Sequence, residues 1–306
     1  MNWNPEEYLI FETLTGSRLY GTFTEHSDYD YRGICIPPVW VTSSLFQNFE
    51  QKDSGFEEPD RVIYSMLKFF KLCTDANPNI IELLFTPENC WRYISTAGRW
   101  IIQNRDVFLS KKIRYTFSGY AYSQLNDIKR HRQWFINPPK EKPSRESYGL
   151  TSAPLISGDG LETLANRLDL LKPEAAEEIR RELSYRDVKR QWDNYLSWKN
   201  NRNPHRMTLE EKYGYDTKHA MHLFRLLEEG RQLLLNGNII FPLENREALV
   251  EILNGKYEYE ELISHAEQLD ILFNSWYERS ALIHSPCRDD IDRLYQEIIS
   301  YNQTEE

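Results

Sequence analysis

Apolar and polar positions alternate over short distances in the first ninety residues, which predicts an α/β segment. Residues 9–15 form an element that ends at a Gly-Ser turn, and a short helix is expected after that turn. Residues 29–37 have the alternation of a strand, which Pro37 and Pro38 end. Another strand is predicted over 61–65 and a helix over 65–76. Asn77-Pro78-Asn79 ends that helix, and a further element begins at residue 80.

From about Arg99 onward the spacing of apolar positions is mostly helical. Long helices are predicted around residues 114–135 and 216–236, the second ending at Gly237 in the position of a C-terminal cap. The stretch from Asn137 to Gly160 is rich in proline, serine and glycine and is expected to be a loop. We therefore predict an α+β protein, with a small sheet domain at 1–105 and a mainly helical domain at 106–306. A loop or insertion is expected around 137–208.

The overall charge limits the function classes. The 306 residues carry a formal net charge of −10, which excludes a uniformly basic protein that coats nucleic acid but allows a local basic groove. The four cysteines form no CxxC pair, so a zinc site from them is not expected. The N-terminus lacks a basic segment of the signal-peptide type, and no apolar run is long enough to span a membrane. We expect a reduced, cytoplasmic protein with no membrane contact.

Two aspartates mark the strand predicted near residue 30. Side chains two positions apart on a strand point to the same face, so Asp28 and Asp30 are expected to converge on one site. Adjacent carboxylates repel each other unless a cation lies between them. Magnesium prefers oxygen ligands of this kind, particularly when substrate phosphates complete its coordination shell.

A glycine-serine pair precedes these aspartates. Gly16 and Ser17 come directly before the predicted short helix, where free backbone N–H groups can bind phosphate oxygens. The Ser17 hydroxyl can add a hydrogen bond. A phosphate-binding turn and a metal-binding Asp-x-Asp, about eleven residues apart in the chain, together predict a triphosphate site.

The helix predicted from Asp216 has two different faces. Lys218, His222 and Arg225 lie on one side and apolar residues on the other, which is compatible with an anion site or with a solvated basic face. A second basic run, at residues 129–132, ends a predicted helix, where positive charge complements the helix dipole. A contact with an RNA backbone is the alternative for that run. Arg32, just after the second aspartate, is expected to support Asp28 or Asp30 by an ion pair.

Several segments resemble one known family. The run GSRLYGTFTEHSDYDYRGI at 16–34 resembles the signature of DNA polymerase β superfamily nucleotidyltransferases, and more narrowly the RNA-repair-pathway polymerase β family (RlaP). Residues 60–85 are similar to that family's strand, helix and Asn-Pro-Asn element. Residues 117–125 and 212–227 are further similar segments. The resemblance implies a mixed-sheet, polymerase β-like palm domain at 1–105 followed by the helical domain.

The resemblance also implies roles for individual residues. Superfamily members use a third carboxylate on a neighbouring strand, for which Asp60 is the candidate and Glu58 the runner-up. The catalytic and metal-binding set would then be Asp28, Asp30 and Asp60, holding two Mg²⁺ ions, with Mn²⁺ as the alternative. Lys218 is implied as the basic residue that binds the triphosphate.

Three aromatic or imidazole side chains complete the candidates for nucleotide binding. His219 and His222 could assist Lys218, although His219 could equally be an interior histidine. Tyr215 could stack on a base or pack in the core.

The implied reaction is transfer of an NMP from a nucleoside triphosphate to an acceptor hydroxyl, and the implied acceptor is an RNA end in RNA repair or processing. Fold-level analogy is weak support for a substrate. Three alternatives therefore remain open: a protein hydroxyl, as in toxin-type members of the superfamily, a small-molecule acceptor, or a regulator that binds NTP and metal without transfer. The sequence leaves the oligomeric state and the preferred base undecided.

Overall fold

The structure is a computed structural model that describes residues 3–46, 48–55, 59–154, 158–202 and 204–305. Its internal contacts divide the chain into two compact units. The first comprises Met1–Ile128 together with Thr217–Glu306, and the second comprises Lys129–Asp216. The predicted boundary between 105 and 106 differs from this division, because the C-terminal helices pack within the first unit, against elements of its N-terminal part.

A five-stranded mixed sheet lies in the first unit. Its strands are β1 (Leu9–Thr15), β2 (Asp30–Cys35), β3 (Gln51–Asp53), β4 (Asp60–Ser65) and β5 (Trp91–Ile94), in the order β3-β4-β2-β1-β5. Strands β2 and β4 are parallel, and the other neighbouring pairs are antiparallel. Because helices follow this mixed sheet over most of the remaining chain, the predicted α+β class is confirmed. The short strands β3 and β5 were not predicted.

Thirteen α-helices are present among the described residues, and none is long and apolar enough to cross a membrane. They are α1 (Gly16–Tyr20), α2 (Val39–Thr42), α3 (Met66–Thr74), α4 (Pro78–Ile81), α5 (Thr96–Gln103), α6 (Ile113–Ile136), α7 (Gly158–Ala165), α8 (Pro173–Asn201), α9 (Pro204–Tyr213), α10 (Thr217–Asn236), α11 (Arg246–Leu253), α12 (Tyr259–Arg279) and α13 (Arg288–Glu305).

The helix after β4 shows how the local sequence sets the fold. Ser65 ends the strand and caps α3, because its hydroxyl oxygen accepts a hydrogen bond from the backbone N–H of Lys68 at 3.2 Å. The buried side chains of α3 are Met66, Phe69, Phe70 and Cys73, which follow the spacing of one helix face. This face covers the core beside β2 and β4.

The second unit is helical and has an aromatic core. Trp134 of α6 and Tyr195 of α8 are buried, and their rings contact each other with centroids 5.8 Å apart. Trp198 packs against both rings. Between α6 and α7, the described residues form a loop with a single turn of 3₁₀ helix at Glu146–Tyr148. The proline-rich stretch after residue 137 therefore begins as a loop, and the region up to 208 is mostly helical.

A polar group of side chains is buried inside the first unit. The Tyr20 hydroxyl lies 3.0 and 3.1 Å from the carboxylate oxygens of Glu82, and Arg225 Nη1 donates to Glu82 Oε2 at 2.7 Å. The same nitrogen lies 2.9 Å from Glu229 Oε1, and the guanidinium sits over the Tyr20 ring at 4.4 Å. None of the four side chains belongs to a residue more than 5% exposed. We call these four residues the buried network.

This arrangement corrects one prediction. Arg225 was expected on a cationic face of α10 with Lys218 and His222. It is instead buried among carboxylates, whereas Lys218 is exposed and His222 is half-buried. The helix pattern could not reveal this, because the partner Glu82 is 143 positions away in the chain.

The buried network makes the stability of the fold depend on pH. Burial raises the pKa of Glu229 from 4.5 to about 8, with the nearby charge of Glu82 adding to the rise and that of Arg225 opposing it. A raised carboxyl pKa means that the folded protein binds the proton more tightly than the unfolded chain. The contribution of Glu229 is therefore present below pH 4.5 and is lost as the pH rises through about 8.

We predict that the free energy of unfolding falls between pH 6 and pH 8 and that Glu229→Gln reduces this fall by up to roughly 1 kcal/mol per pH unit. Urea unfolding at several pH values measures the slope. Glu247→Gln, at an exposed carboxylate of α11, serves as the matched control and should keep the wild-type slope. A wild-type slope in Glu229→Gln would contradict the prediction.

Candidate active site

Two aspartates face each other at one end of the sheet. Asp30 is the first residue of β2 and Asp60 the first of β4, and the parallel pairing places them in register. Partners in register project to the same face of a sheet, so the two carboxyls lie side by side. Burial along β2 increases away from Asp30, because its first three residues are half-buried and its last three are buried. The pair therefore occupies the solvent-accessible end of the sheet.

The surroundings of Asp30 favour its neutral form. Burial is the largest cause that raises the pKa of this carboxyl, and the charge and hydrogen-bonding contact of Asp60 raise it further. The positive charges of Arg32 and Lys218 oppose the rise without cancelling it. Additional positive charge at this position would stabilise the ionised pair.

Gly16 allows the Asp30 carboxylate to occupy its position. Gly16 has a φ of +67°, and a Cβ atom built on it would lie 1.9 Å from Asp30 Oδ2. Any other residue would both strain the backbone and displace the carboxylate. The glycine-serine bend and Asp30 are thus in direct contact, held by the pairing of Thr15 with Asp30 between β1 and β2. Ser17, the next residue, is half-buried in the first turn of α1.

Asp28 lies in the exposed loop before β2, two residues from Asp30. The sequence predicted both aspartates on one strand, whereas the strand begins at Asp30. Arg18 of α1 holds this loop. Its Nη2 donates to the carbonyl oxygen of Ser27 at 2.7 Å, and its Nε donates to that of Asp28 at 3.2 Å.

The Arg18 guanidinium also lies 3.8 Å from the centre of the Tyr29 ring. These contacts fix the backbone on both sides of Asp28. Arg18 was not predicted from the sequence, because no motif distinguishes an arginine that binds backbone carbonyls from one in solvent.

Arg32 pairs with a different aspartate from the two that were predicted. Its Nη2 lies 3.1 Å from Asp60 Oδ2, and its Nη1 lies 3.4 Å from Oδ1 of the same carboxylate. This ion pair spans β2 and β4 on the face that carries Asp30. This ion pair could not be predicted from the sequence, because the register between β2 and β4 decides which carboxylate Arg32 contacts.

The candidate residues of α10 differ in their relation to the aspartates. Lys218 is exposed, and its positive charge opposes the rise in the pKa of Asp30. His219 and His222 are half-buried, and His219 Nδ1 lies 2.6 Å from Gln124 Oε1 of α6. A hydrogen-bonding contact of this kind is typical of a histidine in a protein interior. Tyr215 is buried and is assigned to the second unit.

The donor set is suited to a divalent cation. Asp30 and Asp60 present carboxylate oxygens side by side, and Asp28 precedes Asp30 by two residues in the chain. Burial is the main cause of the raised pKa of Asp30, and the nearby charge of Asp60 adds to the rise. Oxygen-only donors are the ligands that Mg²⁺ and Mn²⁺ prefer. The alternative third carboxylate, Glu58, lies outside the described residues.

Comparisons with known proteins give one family. Residues 2–137 match the model described as the RNA repair pathway DNA polymerase beta family, which confirms the resemblance seen in the sequence. The match contains Gly16, Asp28, Asp30 and Asp60, and it ends before Lys218.

One curated relative and no solved structure accompany this match. The relative is the "Uncharacterized 38.9 kDa protein in nrdC-mobD intergenic region" of Enterobacteria phage T4, which is 28% identical over 127 residues. The alignment covers 38% of this chain and 38% of the phage protein. No solved structure matches the chain significantly.

The contact between Gly16 and Asp30 can be tested by a matched pair of substitutions. Gly16 and Gly55 have nearly equal φ angles of +67° and +68°, but a Cβ on Gly55 would meet nothing within 4 Å. Alanine at either position costs about 1–2 kcal/mol of backbone strain. Only Gly16→Ala should also move the Asp30 carboxylate.

We predict that Gly16→Ala weakens magnesium-dependent binding of nucleoside triphosphate by at least about tenfold, whereas Gly55→Ala binds as the wild type does. Calorimetry with each of the four triphosphates, with and without magnesium, measures the effect. Equal affinities in the two variants would show that the close approach of Gly16 to Asp30 is irrelevant to binding.

Proposed function

We propose, on the match of residues 2–137 to the RNA repair pathway DNA polymerase beta family, that this chain is a metal-dependent nucleotidyltransferase. It would move an NMP from a nucleoside triphosphate to an acceptor hydroxyl. The observation that carries the proposal is the juxtaposition of Asp30 and Asp60 in register, with Gly16 packed against Asp30. An ordinary surface turn does not require this arrangement. Two adjacent carboxylates are unfavourable unless a cation lies near them.

The reaction exchanges a phosphoanhydride bond for a phosphoester bond. The acceptor oxygen forms a bond to the α-phosphorus, the bond from that phosphorus to the β-phosphate oxygen breaks, and pyrophosphate leaves. The acceptor hydroxyl releases its proton to water. Asp28, Asp30 and Asp60 would hold two Mg²⁺ ions, or Mn²⁺, which would lower the pKa of that hydroxyl and neutralise the leaving pyrophosphate.

The chain's own residues would bind and orient the triphosphate. The backbone and hydroxyl of Ser17 adjoin the Gly16 bend, and Lys218 brings positive charge to the same group of carboxylates. His219 and His222 follow on α10 and would assist Lys218. Arg32 would keep Asp60 in place through its two contacts, and Arg18 would do so for the Asp28 loop. Rate gain would come mainly from this positioning and from charge stabilisation.

An RNA end is the acceptor that we propose. The family description supports it, because it names an RNA repair pathway. The distribution of charge also supports it. Residues 129–216 contain 17 Lys and Arg against 14 Asp and Glu, although the whole chain has a net charge of −10. Positive charge concentrated in one unit favours a polyanionic partner there.

Labelling experiments identify the acceptor. The protein is incubated with magnesium, total RNA, total protein and each α-³²P-labelled nucleoside triphosphate in turn. Label in RNA supports the proposed acceptor, and label in protein indicates transfer to a protein hydroxyl. Label in a small molecule would indicate transfer to a small-molecule acceptor. Binding of triphosphate without any transfer would indicate a regulator.

We predict that Asp28→Asn, Asp30→Asn and Asp60→Asn each reduce NMP transfer by at least about 100-fold, because each removes a charge from the same site. Asp106→Asn, at an exposed carboxylate in the same unit, should retain wild-type activity. Incorporation of the α-³²P label measures transfer.

Asp30→Asn should also keep or raise the thermal stability measured in EDTA, because its surroundings disfavour the ionised carboxyl. Wild-type transfer by Asp30→Asn would contradict the proposed role, and a large loss of stability in EDTA would indicate a structural role instead.

A further inference from the structure

The buried network connects the two elements that would bind the triphosphate. Tyr20 is the last residue of α1, and Gly16 at the start of that helix contacts Asp30. Arg225 lies on α10 seven residues after Lys218, which is two helical turns and therefore the same side of the helix. Glu82 joins them, because it contacts both the Tyr20 hydroxyl and Arg225 Nη1.

The position of Lys218 is consistent with this connection. It lies on the side of α10 that Arg225 anchors against Tyr20. A rotation of α10 about its axis or a shift along it would move Lys218 relative to α1 and the Gly16 bend. The contacts of Arg225 with Glu82 and with the face of the Tyr20 ring resist both movements, because both partners lie outside α10. Glu229 is on α10 itself and only orients the guanidinium.

Stability alone does not explain such a network. Taking an arginine and two carboxylates out of water is costly, and well-packed apolar residues in their place are often as stable or more so. Hydrogen bonds between charged groups do, however, fix direction and distance more narrowly than apolar contacts. The network is thus suited to holding α1 and α10 in a fixed relative position.

We propose that Tyr20 is a positioning residue, which acts through Glu82 and Arg225 to set Lys218 against the triphosphate bound at Gly16 and Ser17. The inference rests on the proposed function. Tyr20 is buried, its hydroxyl contacts Glu82 and its ring lies against Arg225, so it acts on the nucleotide through these two residues.

A double-mutant cycle tests this inference. Tyr20→Phe removes only the hydroxyl that contacts Glu82, and Lys218→Ala removes the positive charge that would bind the phosphates. We expect roughly a tenfold loss of kcat/KM for the triphosphate in Tyr20→Phe and a larger loss in Lys218→Ala. If Tyr20 acts through Lys218, the double variant is no worse than Lys218→Ala.

The division of the effect between KM and kcat is a further readout. Tyr20→Phe should change KM for the triphosphate in the same direction as Lys218→Ala, and calorimetric binding of the magnesium triphosphate should weaken in parallel. Tyr295→Phe is the matched control, because its ring packs on Phe70 elsewhere in the same unit. Thermal melts monitor folding, and Glu82→Gln replaces Tyr20→Phe in the cycle if the latter unfolds.

The outcomes separate this inference from the proposed function. A wild-type protein that neither binds nor transfers nucleotide overturns both. A wild-type protein that is active, with effects of Tyr20→Phe and Lys218→Ala that multiply, overturns only the positioning role. Unchanged kinetics in Tyr20→Phe likewise overturn it and leave the nucleotidyltransferase intact.

Discussion

The structure depends on the register between two parallel strands, which places Asp30 beside Asp60. Two carboxylates side by side repel each other, and the charge of Asp60 adds to the rise in the pKa of Asp30 that burial mainly causes. Arg32 supplies partial compensation through its ion pair with Asp60. The site is therefore arranged for positive charge that a divalent cation would supply. The glycine at position 16 contacts Asp30 directly, and the buried network joins α1, which begins at that glycine, to α10.

Much of the first unit could be predicted from local patterns. Strand β2 ends before two prolines, β4 leads into the amphipathic helix α3, and α10 ends at Gly237, so short-range signals are enough for these elements. The candidate aspartates and the glycine-serine bend could also be singled out, because their spacing is unusual and their chemistry is complementary. The two shortest strands, β3 and β5, were not predicted, because three or four residues are too few to show a periodic pattern.

Long-range pairing explains what the sequence did not reveal. The partners of Arg225 and Arg32 are decided by strand register and helix packing, which a single sequence does not display. The division into units was missed for a related reason. The first unit is assembled from both ends of the chain, and α13 packs beside α3 and α5 although more than 180 residues separate them in sequence. The family match ends at residue 137, so the role of Lys218 rests on geometry and resemblance alone.

The most direct test of the account is a crystal structure with Mn²⁺ and a non-hydrolysable nucleoside triphosphate, with anomalous scattering used to locate the manganese. The account predicts an anomalous peak within coordination distance, about 2.2 Å, of carboxylate oxygens of Asp30 and at least one of Asp28 and Asp60. The triphosphate should lie against Gly16 and Ser17. Manganese bound elsewhere, or a nucleotide that leaves these carboxylates without a cation, would contradict it.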